Sequence, residues 1–240
     1  MIRLIKCVIL LCILLLFPNQ DLLCQDVQLW IDAYGYNNIG KKVEYEANIG
    51  YNTVAIDSAW HDIYWANTFT WDINKWYALE GSAEINFSKD PSESNIIELN
   101  IQGNQVFTFV QFIDAIHLAK PYLAAKLECR FLWYPGVDTS DIKYRTRFKI
   151  GGKFILNKIR MVKNAVYIPF YFENFFDLNG TATERKAEKA RGKVSLGYVF
   201  SKKIRGELGY IAQLARNTIE DDVERTDFVL QFKFRYYFNR

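Results

Sequence analysis

The chain has 240 residues with 30 basic and 27 acidic side chains, and its net charge of +3 gives no global case for nucleic-acid binding. Aromatic residues make up 16%, with 18 Phe and 15 Tyr, an enrichment that suits β-strands and membrane–water interfaces. Beyond the N-terminus no apolar run approaches the ~18 residues of a membrane helix, which argues against a helical span.

The first residues read as a targeting signal. Arg3 and Lys6 form a basic start, Val8–Phe17 is almost entirely Ile, Leu, Val and Cys, and Pro18 ends the run. An apolar core of about ten residues fits a signal peptide and is too short to span a bilayer. Cleavage is expected after Cys24, the small residue available at that point, which divides the chain into a signal peptide (1–24) and one domain (25–240). Lipidation of Cys24 is the rival reading, but Leu23 stands where a small residue usually precedes an acylated cysteine. Cleavage would remove Cys7, Cys12 and Cys24 and lower the net charge to +2. Cys129 would then be alone, with no intrachain disulfide open to it, so the fold must hold together by other means.

Alternation at period two dominates the rest of the chain, the mark of strands with two different faces. Strands are expected near 27–36, 42–52, 61–71, 75–87, 95–114, 117–134, 142–155, 165–176, 190–201, 203–216 and 226–238. In 42–52, Val43, Tyr45, Ala47, Ile49 and Tyr51 oppose Lys42, Glu44, Glu46 and Asn48. In 117–134, Leu123, Leu127, Cys129, Phe131 and Trp133 oppose Lys126, Glu128 and Arg130. In 142–155, Tyr144, Phe148, Ile150 and Phe154 oppose Lys143, Arg145, Arg147, Lys149 and Lys153. The last segment sets Phe228, Leu230, Phe232, Phe234, Tyr236 and Phe238 against Val229, Gln231, Lys233, Arg235 and Tyr237. Strands of soluble sheets run ~5–6 residues and tilted membrane strands ~9–11, so these long runs point to a closed antiparallel transmembrane β-barrel with its apolar face in lipid. Aromatics near the segment ends, such as Trp71, Trp76, Tyr77, Trp133 and Tyr134, suit interfacial girdles.

Even strand numbers are the rule for single-chain bacterial barrels. Twelve strands are therefore expected, with Gly103-Asn104 splitting 95–114 into a hairpin; ten is the alternative, if 27–36 stays outside the wall. Long polar links at 135–141, 177–189 and 217–225 are expected outside, and the tight turn Ser201-Lys202-Lys203 in the periplasm. The basic link 156–163 is an exception to that orientation.

Several short stretches, in order, carry a resemblance. They are Gln28-Leu29-Trp30, Glu98 with Gln102-Gly103, Leu127-Glu128-Cys129-Arg130-Phe131, Tyr144-Arg145-Thr146-Arg147-Phe148, Glu173-Asn174-Phe175 and Glu207-Leu208-Gly209-Tyr210. Over nearly the whole mature length the chain resembles the uncharacterised outer-membrane barrels of domain of unknown function 2490, common in Bacteroidota. The resemblance implies a fold and the bacterial outer membrane as location, with membrane lipid as a partner. It implies no activity.

The candidate site is a set of charges on the inward face: Glu128, Arg130, Arg145, Arg147, Glu173 and Glu207, with Lys126, Lys143, Lys149, Arg191, Lys193, Lys233 and Arg235 around them. Neighbouring cations repel unless carboxylates face them, and Glu128, Glu173 and Glu207 are the natural counterions. The set is expected to brace the lumen; a basic constriction passing small anions is the functional alternative. A membrane-embedded hydrolase acting on lipid or peptide is the reading from another class, prompted by Asp57, Ser58, His61 and Asp62. Neighbours on a strand point to opposite faces, so His61 should diverge from Asp62 and from Ser58. His117 has no obvious partner. With Cys129 facing lipid, no metal set emerges; no phosphate-binding glycine loop is present, and no cofactor is expected.

Overall fold

Alternation carries through into eleven β-strands among the described residues, which are 27–54, 61–89, 95–109, 120–179, 186–217 and 222–239 of this computed structural model. The expected signal peptide, Ser58 and His117 lie outside them. The strands are β1 (Val27–Ile39), β2 (Val43–Val54), β3 (His61–Asp72), β4 (Tyr77–Lys89), β5 (Ile96–Thr108), β6 (Tyr122–Tyr134), β7 (Thr139–Ile155), β8 (Val166–Asp177), β9 (Lys186–Val199), β10 (Ile204–Asn217) and β11 (Asp222–Tyr237). Each pairs with its chain neighbours in antiparallel fashion, and β1 closes the barrel against β11. Closure leaves no unpaired sheet edge. The shortest strands have 12 residues and the longest 17, well beyond the ~5–6 of ordinary sheets.

The expectation of twelve strands is corrected to eleven. Gly103 does not turn the chain. It sits within β5, opposite Gly81 on one side and Leu127 on the other. Residues 27–36 do belong to the wall, since β1 pairs antiparallel with β2 and parallel with β11, Leu29 opposite Leu230 and Asp32 opposite Lys233. In an up-and-down wall direction alternates, so an odd count makes the first and last strands run the same way. The described chain therefore enters and leaves at opposite ends of the barrel. With Cys129→Ser as background and Gln25 as the first residue, Leu29→Cys and Leu230→Cys should join through a short thiol cross-linker. A twelfth strand between them would set them ~10 Å apart and abolish the product.

Link length does not orient the barrel as expected. The two longer connections, β5 to β6 and β7 to β8, leave and re-enter the wall at the same end as the turns 40–42, 73–76 and 200–203. The second is long because it folds on a small core of its own. Ile155, Ala165, Tyr167 and Val199 are buried together, with Met161 packed against them. Asn157 fastens it by accepting from the Val166 amide at 2.8 Å and donating to the Asn164 carbonyl at 2.9 Å.

The two faces of the wall differ sharply. Ile31, Ile49, Trp65, Phe87, Leu127, Phe148, Ile150, Leu196, Leu208 and Phe232 stand exposed on the outside. Asp32, Asn52, Asn100, Gln102, Glu128, Glu173, Lys193, Glu207 and Gln231 are buried inside. Outward aromatics gather toward the ends. Trp71, Trp76, Phe200 and Phe238 lie at the end with the short turns, and Tyr51, Phe87 and Trp133 toward the other. No helix among the described residues is long and apolar enough to cross a membrane, which leaves crossing by strands untouched.

Candidate functional site: the charged lumen

Register places the inward charges side by side. Glu128 of β6 faces Arg145 of β7, and Lys149 of β7 faces Glu173 of β8, which in turn faces Arg191 of β9. Arg145 donates from Nε to Glu128 Oε2 at 2.7 Å. Arg147, one inward step along β7, holds the other Glu128 oxygen and stands 3.6 Å from Glu173. Lys149 lies 3.3 Å from the same Glu173 oxygen. The Glu128 side chain has no solvent exposure and that of Glu173 3%, so these ions are screened by one another rather than by water.

Beneath the cations lies a buried ring. Phe175 of β8 has the guanidinium carbons of Arg145, Arg147 and Arg191 at 5.0, 5.2 and 5.3 Å from its centre. Such contacts offset part of the like-charge repulsion. Arg191 also lies 5.2 Å from the Trp30 ring of β1. Since β10 and β11 separate β9 from β1 along the wall, Trp30, Arg191 and Phe175 together cross a chord of the lumen. Arg191 donates to Gln213 at 3.1 Å as well.

Arg130 and Glu207 belong to separate pairs. Arg130 makes a two-pronged bond to Glu98 of β5, at 2.7 and 2.9 Å, rather than joining Glu128. Glu207 accepts from Arg235 Nη1 at 2.6 Å.

A further hub was not foreseen from the sequence. Asp32 is 1% exposed. It accepts from the Tyr64 hydroxyl at 2.5 Å and from Gln231 Nε2 at 2.5 Å, and Lys233 stands 3.9 Å away. Gln231 passes the contact on by accepting from Lys193 at 2.5 Å. Tyr64 can lie across the intervening β2 because Gly50 faces it; a Cβ there would come within 2.1 Å of the ring. Glu98 could have been found from sequence, as it sits in the inward parity of Asn100 and Gln102. Asp32 carried the inward parity of β1 but no sign of which strands it would meet.

Past the Trp30–Arg191–Phe175 chord the lumen widens into a cavity of about 530 Å³. Arg147 and Glu173 border it, while Glu128, Arg130 and Arg145 do not. Thr108, Lys120 and Lys153 place it toward the end where β5 and β7 finish and β6 and β8 begin.

The histidine reading fares as strand geometry requires. His61 stacks on Tyr51, ring centres 6.4 Å apart. Asp62 turns the other way and accepts from Asn52 at 3.1 Å and Ser88 at 2.8 Å. Cys129 lies on the outward parity of β6, beside Leu127 and Phe131.

Apolar outside, charged inside and closed on itself, the molecule is an eleven-stranded β-barrel with an ionic lumen. It belongs to the protein family of unknown function DUF2490, whose model matches residues 27–224. Searches of curated proteins and of solved structures found no match.

Proposed function

We propose that this chain is inserted in a bacterial outer membrane, with lipid against its outer face, and acts as a braced barrel with a narrow, charged lumen. One observation carries the reading: the wall exposes aliphatic and aromatic side chains all round while its polar and charged side chains are buried within. A soluble barrel has the reverse arrangement, because water solvates charge and expels apolar surface. Strands of 12 or more residues and aromatics near both ends fit a hydrocarbon layer with two interfaces. The export segment read in residues 1–24 agrees with that destination.

Inside, the ion pairs around Glu128 and Glu173 tie β6, β7 and β8 together, and the Trp30–Arg191–Phe175 chord narrows the passage. A lumen of this kind supports the wall and passes, at most, small solutes, with basic groups favouring anions. Fractionated cells should hold the protein in the outer membrane through alkaline and urea washes, and release it only to detergent. Recovery from the soluble periplasm would overturn the membrane reading. In planar bilayers the barrel should conduct weakly and prefer chloride to potassium; a large, unselective conductance would contradict the narrow lumen.

A further inference from the structure

We infer that the cavity beyond the chord is a binding chamber for a small organic anion bearing phosphate or carboxylate groups. Eight basic side chains line it against four carboxylates. Two of those carboxylates are already engaged, Glu173 by Arg147 and Lys149 and Glu207 by Arg235. A third, Glu80, accepts from Asn104 at 2.5 Å.

Three ammonium groups carry the inference. Lys126 donates to the neutral Gln102 oxygen at 2.6 Å, and Lys193 to the neutral Gln231 oxygen at 2.5 Å. Lys153 lies 5.3 Å from the centre of the Tyr167 ring. Among the described residues none of the three has a carboxylate within ion-pairing distance, yet all three line the same cavity, and Lys193 is 8% exposed. An ammonium has three N–H groups; Lys126 and Lys193 each give one to a neutral amide oxygen, and Lys193 also lies 6.0 Å from the centre of the Tyr171 ring. Partly withdrawn from bulk water and without a directly paired carboxylate, such groups are costly to hold together, and an anion between them relieves the cost. The space of about 530 Å³ is that of a small-molecule pocket rather than of a lone inorganic ion. Tyr122 and Tyr171 supply aromatic wall for a carbon skeleton, so the matching ligand has both a charged end and a body.

The inference deepens the charged-lumen reading but does not rest on residence in a membrane, since a water-soluble barrel with this interior would bind equally. The test uses the barrel folded in a non-ionic detergent at low ionic strength, titrated calorimetrically with phenyl phosphate and with citrate, and with spermidine as the cationic control. Phenyl phosphate or citrate should bind with one site and raise the melting temperature of the wild type, beyond what sodium chloride of equal ionic strength does. Lys126→Gln, Lys153→Gln and Lys193→Gln should each weaken binding about tenfold, the scale of one charge-assisted hydrogen bond. Lys75→Gln, in the exposed turn 73–76, should bind as wild type. Two results overturn the chamber: no binding of either anion by the folded wild type, or affinities in the three lumen variants equal to that of Lys75→Gln. The wild-type titration and melting shift decide the matter even where a variant does not fold.

Discussion

Glu128→Ala is expected to destabilise the barrel by about 3–5 kcal/mol, the cost of breaking a buried ion pair from one side. Its carboxylate serves both Arg145 and Arg147, and its side chain is wholly buried. Removal leaves two guanidiniums over the Phe175 ring, with Arg191 close by and Glu173 the nearby acid, itself already shared with Lys149. Asp72→Ala, at an exposed strand end, should change stability by less than ~0.5 kcal/mol. Melting in detergent, followed by loss of strand signal or of compact gel mobility, makes the comparison. The cost comes from stranded charge rather than from lost packing, so Glu128→Met combined with Arg145→Met and Arg147→Met should recover most of it. Equal melting temperatures for Glu128→Ala and Asp72→Ala would mean that the network braces nothing.

How far this site could be read in advance depended on the kind of information each contact needs. Glu128, Arg145 and Arg147 occupy one parity of consecutive alternating segments, so their neighbourhood follows from sheet geometry alone. Asp32, Tyr64 and Gln231 meet across β1, β3 and β11, and that meeting exists only once the barrel has closed. Gly50, which makes room for the Tyr64 ring, looks like any glycine in a strand until its neighbour is known. The cavity is likewise a property of closure, since its lining comes from strands far apart in the chain.

The strand count shows the same limit. Each of the eleven expected segments overlaps a strand. The even-number rule presumes that a chain enters and leaves its barrel at one end, and the described strands here do not. Nothing in Leu29, Ile31 and Ala33 says whether the neighbouring strand runs with or against them, because parallel and antiparallel partners accept the same in–out pattern. The parallel seam between β1 and β11 is a decision of topology, and a propensity-based reading does not see it.

Leu127→Arg and Phe148→Arg should each hinder insertion and cost about 2–4 kcal/mol in lipid, the penalty for a cation on the outer face of a membrane barrel near the bilayer midplane. Leu127 is 62% exposed and Phe148 55%, and both sit near the middle of their strands, β6 and β7. In water the same exposure predicts the opposite outcome: a solvated leucine or phenylalanine exchanged for arginine alters stability by less than ~0.5 kcal/mol and improves solubility. The two environments are thus separated by the sign of a single substitution. Leu127→Phe keeps the face apolar and should insert as wild type does. The measurement is the fraction of chain folded into lipid vesicles, read by protection from added protease and by resistance of the folded band to detergent at room temperature. Arginine variants that insert fully and melt with the wild type would place the outer face in water, and the exposed apolar ring would then need a different cover.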